Sequence, residues 1–142
     1  MTPIDPTSLI PHRPPFLLVD VLDEVVPGTS AKGRWQVPAS LPILAGHFPG
    51  HPVLPGVYQV EAIAQVGAAA VLADERYRGS LPLFGGIDRA RFRRQVEPGD
   101  ELLLEVELVS LGARAGRGRG RASVDGATAA EVELLFVIAP GG

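Results

Sequence analysis

At 142 residues, with 46% hydrophobic side chains, the chain suits a single domain, residues 1–142, with material for a real core. It has no cysteine, which excludes a disulfide framework, a thiolate nucleophile and cysteine-ligated zinc or iron–sulfur sites, and fits an intracellular, cytoplasmic setting. The formal charge of −3 argues against nucleic acid as a partner, since "RGRGR" is the one short basic run that would favour it.

The opening, "MTPIDPTSLIPHRPP", lacks the basic start and apolar run of a secretory signal. Two extended runs, Phe16 to Val26 and Thr29 to Val37, flank Pro27–Gly28 and predict a hairpin. The stretch "GHFPGHPVLPGV", Gly46 to Val57, then combines residues that fix φ with residues that permit tight turns, so it reads as a loop held in one shape. A helix starts after Pro55–Gly56 and runs through "VYQVEAIAQVGAAAVLADERY", ending before Gly79. Its apolar residues lie nearly all round, so it needs cover on most sides. Glu61 and Gln65 interrupt its apolar run, which is too short to span a bilayer.

Beyond the helix, Leu102, Leu104, Val106 and Leu108 alternate with Glu101, Glu105 and Glu107, the period of a half-buried strand. In Arg114 to Val124, arginines 117, 119 and 121 occupy one face, and Gly116, Gly118, Gly120 and Ala122 the other. That nearly bare face predicts close approach to a packed element. Thr128 to Ile138 alternates again after a turn at Asp125–Gly126. Side-chain parity favours a three-residue loop with Gly126 last, pairing Arg119 with Glu131 and Arg117 with Glu133. The resulting fold class is α+β, an antiparallel sheet wrapped around a central helix.

Glu61 stands within the apolar part of this helix, among Val57, Tyr58, Ala64 and Gln65 at helical spacing. Burial there disfavours the carboxylate and leaves a neutral acid able to donate a proton. His47, in the shaped loop, belongs to the residue type that exchanges protons near neutrality and is the candidate base. The first N–H of the helix, at Gly56, points outward with the positive end of the helix dipole and would polarise a carbonyl docked against it. His12 and His51 are weaker candidates, and Pro49 and Pro52 deny His47 and His51 the helical spacing of a metal pair. No P-loop, GxGxxG or GxSxG motif is present, and nothing in the residues calls for a cofactor or a metal.

The segment "GHFPGHPVLPGVYQVEAIAQ" closely resembles the active-site signature of the (3R)-hydroxyacyl-[acyl-carrier-protein] dehydratases of bacterial fatty-acid synthesis, the FabZ type with a hot-dog fold. The resemblance extends through "PHRPPFLLVD", "GGIDRARFRRQVEPGDEL" and "GRASVDGATAAEVEL". It implies His47 as catalytic histidine, Glu61 as catalytic acid, Gly56 as the residue whose N–H polarises the thioester carbonyl, and Gln65 as a lining residue. Val57 and Tyr58 join them as candidate substrate contacts. Tyr58 departs from the family's usual leucine or isoleucine, and its larger ring would narrow an acyl tunnel.

The resemblance also implies a homodimer, in this family often gathered in threes, with His47 and Glu61 contributed by different subunits. It implies acyl carrier protein as the bearer of the substrate. Arg89, Arg91, Arg93 and Arg94, a basic cluster in an acidic chain, are candidates for its docking site. The alternatives are a hot-dog thioesterase and a non-catalytic carrier-binding subunit.

Overall fold

The structure, a computed structural model, describes residues 2–141. Its first hairpin joins β1 (Val21–Val26) to β2 (Ser30–Gln36), as the turn residues predict, with residues 16–20 outside the strand. Gly28 takes φ +70° after Pro27, and the Thr29 N–H closes the turn onto the Val26 carbonyl at 2.9 Å. The Gly28 N–H bonds the Ala70 carbonyl at 2.9 Å, fastening this turn to the end of α1 (Gly56–Leu72).

That helix is shorter than its sequence suggests. After Leu72 the Asp74 side chain accepts from the Arg76 N–H at 3.0 Å and starts a separate 3-10 turn, Glu75–Tyr77. An aspartate that bonds the backbone two residues on competes with helix propagation. Within α1, 12 of 17 residues are buried, and the less buried Val57, Tyr58, Glu61 and Ala64 fall on one stripe of its first half. Among the described residues no helix is long and apolar enough to cross a membrane.

The remaining strands are β3 (Leu81–Phe92), β4 (Glu101–Leu111), β5 (Ala115–Val124) and β6 (Ala127–Ala139). All pairings are antiparallel, and the sheet runs β1-β2-β4-β5-β6-β3. Every strand packs on α1. Leu102, Leu104 and Val106 of β4 and Val132, Leu134 and Phe136 of β6 face the helix as their alternation requires. The bare face of β5 also behaves as predicted: a Cβ at Gly120 would lie 2.3 Å from Ile63 Cγ2, so the missing side chain is what lets the strand close on the helix.

The turn between β5 and β6 corrects the sequence reading. Val124 pairs with Ala127 across two residues, Asp125 and Gly126, at φ +50° and +82°, a hairpin of the primed kind. Arg119 therefore opposes Glu133 and Arg121 opposes Glu131, while Arg117 opposes Leu135. Parity is restored by a bulge: Ser123 pairs with Thr128 and Ala122 with Ala130, leaving Ala129 as the extra residue.

No discrete strand is legible at 81–92, yet β3 spans it. The reason is irregularity at Phe84/Gly86 and again at Ile87/Arg89, which breaks the two-residue period. β3 pairs with β6 alone, so its far edge carries unpaired backbone groups. Leu83, Phe84, Ile87 and Phe92 on it are about half exposed.

Candidate active site

The loop before α1 is fixed by its own backbone. Phe48 and His51 exchange N–H to carbonyl bonds at 3.1 and 2.9 Å, and the Leu54 N–H reaches the Val96 carbonyl at 2.8 Å. The His47 carbonyl accepts from the Val53 N–H at 2.8 Å, while His47 Nδ1 lies 2.9 Å from the Val53 carbonyl oxygen. A carbonyl oxygen only accepts, so Nδ1 carries the hydrogen and the neutral ring keeps Nε2 as a bare lone pair, the atom a general base uses. Phe48 stacks on the ring at 4.2 Å. His51 is exposed at the loop tip.

His47 opens onto a cavity of about 490 Å³ that also meets Gly56, Val57, Gln59, Phe92, Arg93 and Arg94. The predicted helix-end glycine is therefore beside the histidine. A Cβ at Gly56 would lie 2.8 Å from the Phe92 ring, so the glycine is required by this aromatic cover. Arg89 and Arg91 lie elsewhere, opposite Glu133 and Glu131 in a groove on the sheet's outer face. Arg93 reaches both regions, since its guanidinium bonds Glu131 at 3.0 Å.

Glu61 opens onto a second, apolar cavity of about 220 Å³, between α1 and the sheet. Small residues of the helix, Ala64, Gly67 and Ala68, make one wall, and Val106, Leu134 and Phe136 make the other. Burial pushes the Glu61 carboxyl above its ordinary value of 4.5, while a hydrogen bond from Gln65 pulls it back. Gln65, fully buried, donates from Nε2 to Glu61 Oε2 at 2.9 Å and to the Phe16 carbonyl at 2.8 Å, and accepts from the Leu18 N–H at 2.8 Å. One side chain thus aligns the acid and ties the 16–18 segment to α1. Tyr58 does not line this cavity; it packs edge-on against Phe16, which does, with ring centres 6.5 Å apart.

Within one chain His47 and Glu61 face different cavities. The residue that does meet Glu61 is His12, a weak candidate in the sequence, whose Nε2 lies 3.7 Å from Glu61 Oε2. Its partner is remote along the chain, and its place in the "PHRPPFLLVD" segment is the one sequence signal that singles it out.

A long helix wrapped by a six-stranded antiparallel sheet places the chain in the hot-dog fold class. Residues 10–133 match the FabA-like domain family. The chain is 54% identical over 131 residues to the 3-hydroxyacyl-[acyl-carrier-protein] dehydratase FabZ of Bacillus subtilis, covering 92% of this chain and 93% of that protein. It is also 54% identical to the enzyme of that name from Pelotomaculum thermopropionicum, covering 92% and 94%. The solved dehydratase heterocomplex ApeI:P from Xenorhabdus doucetiae superposes with a TM-score of 0.80 at 19% identity, over 97% of this chain and 92% of that one. The chain belongs to the FabZ family of 3-hydroxyacyl-[acyl-carrier-protein] dehydratases.

Proposed function

We propose that the chain dehydrates (3R)-3-hydroxyacyl chains carried on acyl carrier protein to the trans-2-enoyl product of fatty-acid biosynthesis, in a site assembled from two copies. His47 Nε2 removes the α-proton, the Gly56 N–H steadies the enolate that forms on the thioester oxygen, and Glu61 gives its proton to the departing hydroxyl, which leaves as water. The observation that carries this reading is the environment of Glu61: an acid that burial shifts toward its protonated form, at an apolar cavity suited to an acyl chain. The bare Nε2 of His47 complements it, and the unpaired, half-exposed apolar edge of β3 offers the surface on which a second copy would bring the two cavities together.

The experiment is turnover of 3-hydroxyacyl carrier proteins of several chain lengths, followed by enoyl absorbance and free thiol together. Enoyl product without thiol is expected, and thiol without enoyl product would make the chain a thioesterase. His47→Ala and Glu61→Gln should each lower kcat by about 10²–10⁴ while the chain stays folded. For the carrier, Arg93 and Arg94 at the mouth of the His47 cavity are the better placed pair. Arg94→Glu should weaken turnover of carrier-linked substrate and leave a free pantetheine thioester unaffected.

A further inference from the structure

Gln59 is only 2% exposed, yet it forms part of the wall of the cavity that His47 and Gly56 share. Its Oε1 is buried without a partner. The other polar groups of that wall are accounted for: His47 Nδ1 is committed to the Val53 carbonyl, Arg93 to Glu131, and Arg94 and Gln95 are exposed to water. The remaining neighbours include Val53, Leu54 and Phe92, among which a leucine would fill the place of Gln59 without stranding a hydrogen-bonding group. Packing alone therefore does not call for an amide here. Gln59 stands three residues beyond Gly56, so the two share one stripe of α1. The terminal torsion of a glutamine is broad and two-fold, so either end of its amide can turn toward the cavity.

We propose that Gln59 is a substrate-binding residue whose side-chain amide hydrogen-bonds the amide of the carrier arm nearest the thioester sulfur. The inference deepens the proposed dehydration and rests on it. With the thioester carbonyl on the Gly56 N–H and the α-carbon at His47, the sulfur and the arm behind it occupy this same cavity, while the acyl chain runs on toward Glu61 of the second copy. A pantetheine arm is a methylene chain interrupted by secondary amides, the first of them two methylenes from the sulfur. That spacing is comparable with the rise of about 4.5 Å over the three helical residues from Gly56 to Gln59. A secondary amide offers one donor and one acceptor, so it complements whichever end of Gln59 faces it. The bound arm thus pairs a group that the free chain leaves unpaired. An arm without the amide leaves Gln59 stranded, which is how a buried polar group rejects an analogue lacking its partner.

The test uses the full chain and two 3-hydroxyacyl thioesters of one acyl length. The N-acetylcysteamine thioester keeps the first amide of the arm, and the S-pentyl thioester replaces that amide by methylenes. The parent should prefer the amide-bearing substrate in kcat/KM, and Gln59→Leu should lower this preference about tenfold, the scale of one hydrogen bond. The ratio between the two substrates decides, not the rate on either. A fall of about threefold or more supports the proposal. A smaller change overturns it, including an equal loss on both substrates, which is what a packing defect produces. Where Gln59→Leu does not fold, Gln59→Met replaces it and is judged by the same ratio. Turnover of the carrier-linked substrate by the parent is measured alongside: its failure would sink the dehydratase reading itself, whereas normal turnover with an unmoved ratio would sink the assignment of Gln59 alone.

Discussion

Glu61 is a carboxyl that burial in the folded chain raises above its ordinary value. Its folded value lies above 4.5, so between the two values the native state holds a proton that the unfolded chain has lost, and the resulting stability is full below the unfolded value and fades as pH rises through the folded one. Glu61→Gln cannot ionise. With His12→Ala in both chains, which removes the facing imidazole, the melting-temperature advantage of this variant over the parent should therefore grow from about pH 4 to about pH 8, and a constant difference would contradict a carboxyl raised by burial. Gln65→Leu removes the partner of the buried Leu18 N–H and should cost about 1–3 kcal/mol in chemical denaturation. It also deletes the bond that lowers Glu61, so that carboxyl should titrate still higher. At this scale the nearness of His47 to Gly56 and of Glu61 to Gln65 is legible in the sequence, because each pair is local to one loop and one helix. That of His12 to Glu61 is not, because a contact between the N-terminal segment and the middle of α1 has no signature in spacing.

Elements were legible where the two-residue period ran unbroken. β4 and β6 show it, and the bare face of β5 announced the helix beneath it. Bulges are what hid the rest: two of them mask β3, and a third, at Ala122/Ser123, reverses the parity on which the longer β5–β6 loop was inferred. The same elements give two further expectations. Gly120→Ala would set a methyl 2.3 Å from Ile63 Cγ2 and 3.1 Å from the Glu105 carbonyl oxygen, and Ile63 is fully buried. Overpacking of this kind should lower unfolding free energy by about 1–3 kcal/mol. Gly126→Ala meets no neighbour, so its penalty is that of a left-handed φ alone and should come to about 1 kcal/mol. A larger loss at Gly126 than at Gly120 would mean that the turn, not the closeness of β5 to α1, limits stability.

The whole molecule raises the question that one chain leaves unanswered: His47 and Glu61 lie on different cavities, yet elimination needs base and acid on one substrate. A two-fold pair is isologous, so each site in it would take the histidine from one copy and the acid from the other, and every dimer would carry two sites. This arrangement makes an unusual prediction for two dead proteins. His47→Ala and Glu61→Gln, each inactive alone, are mixed, dissociated in mild denaturant and allowed to reassociate. Random pairing makes half of the dimers mixed, and one of the two sites in each mixed dimer inherits both native groups, so about one quarter of parental activity should return. Sites complete within one chain would return none. An intermediate test uses the β3 edge: Ile87→Lys places a charge among the half-exposed Leu83, Phe84 and Phe92, and should shift sedimentation toward the monomer and lower turnover together. If the monomer formed by Ile87→Lys kept full activity, the acid and the base would have to meet within a single chain, and the separation of their cavities would need a rearrangement of the loop 46–55 to overcome it.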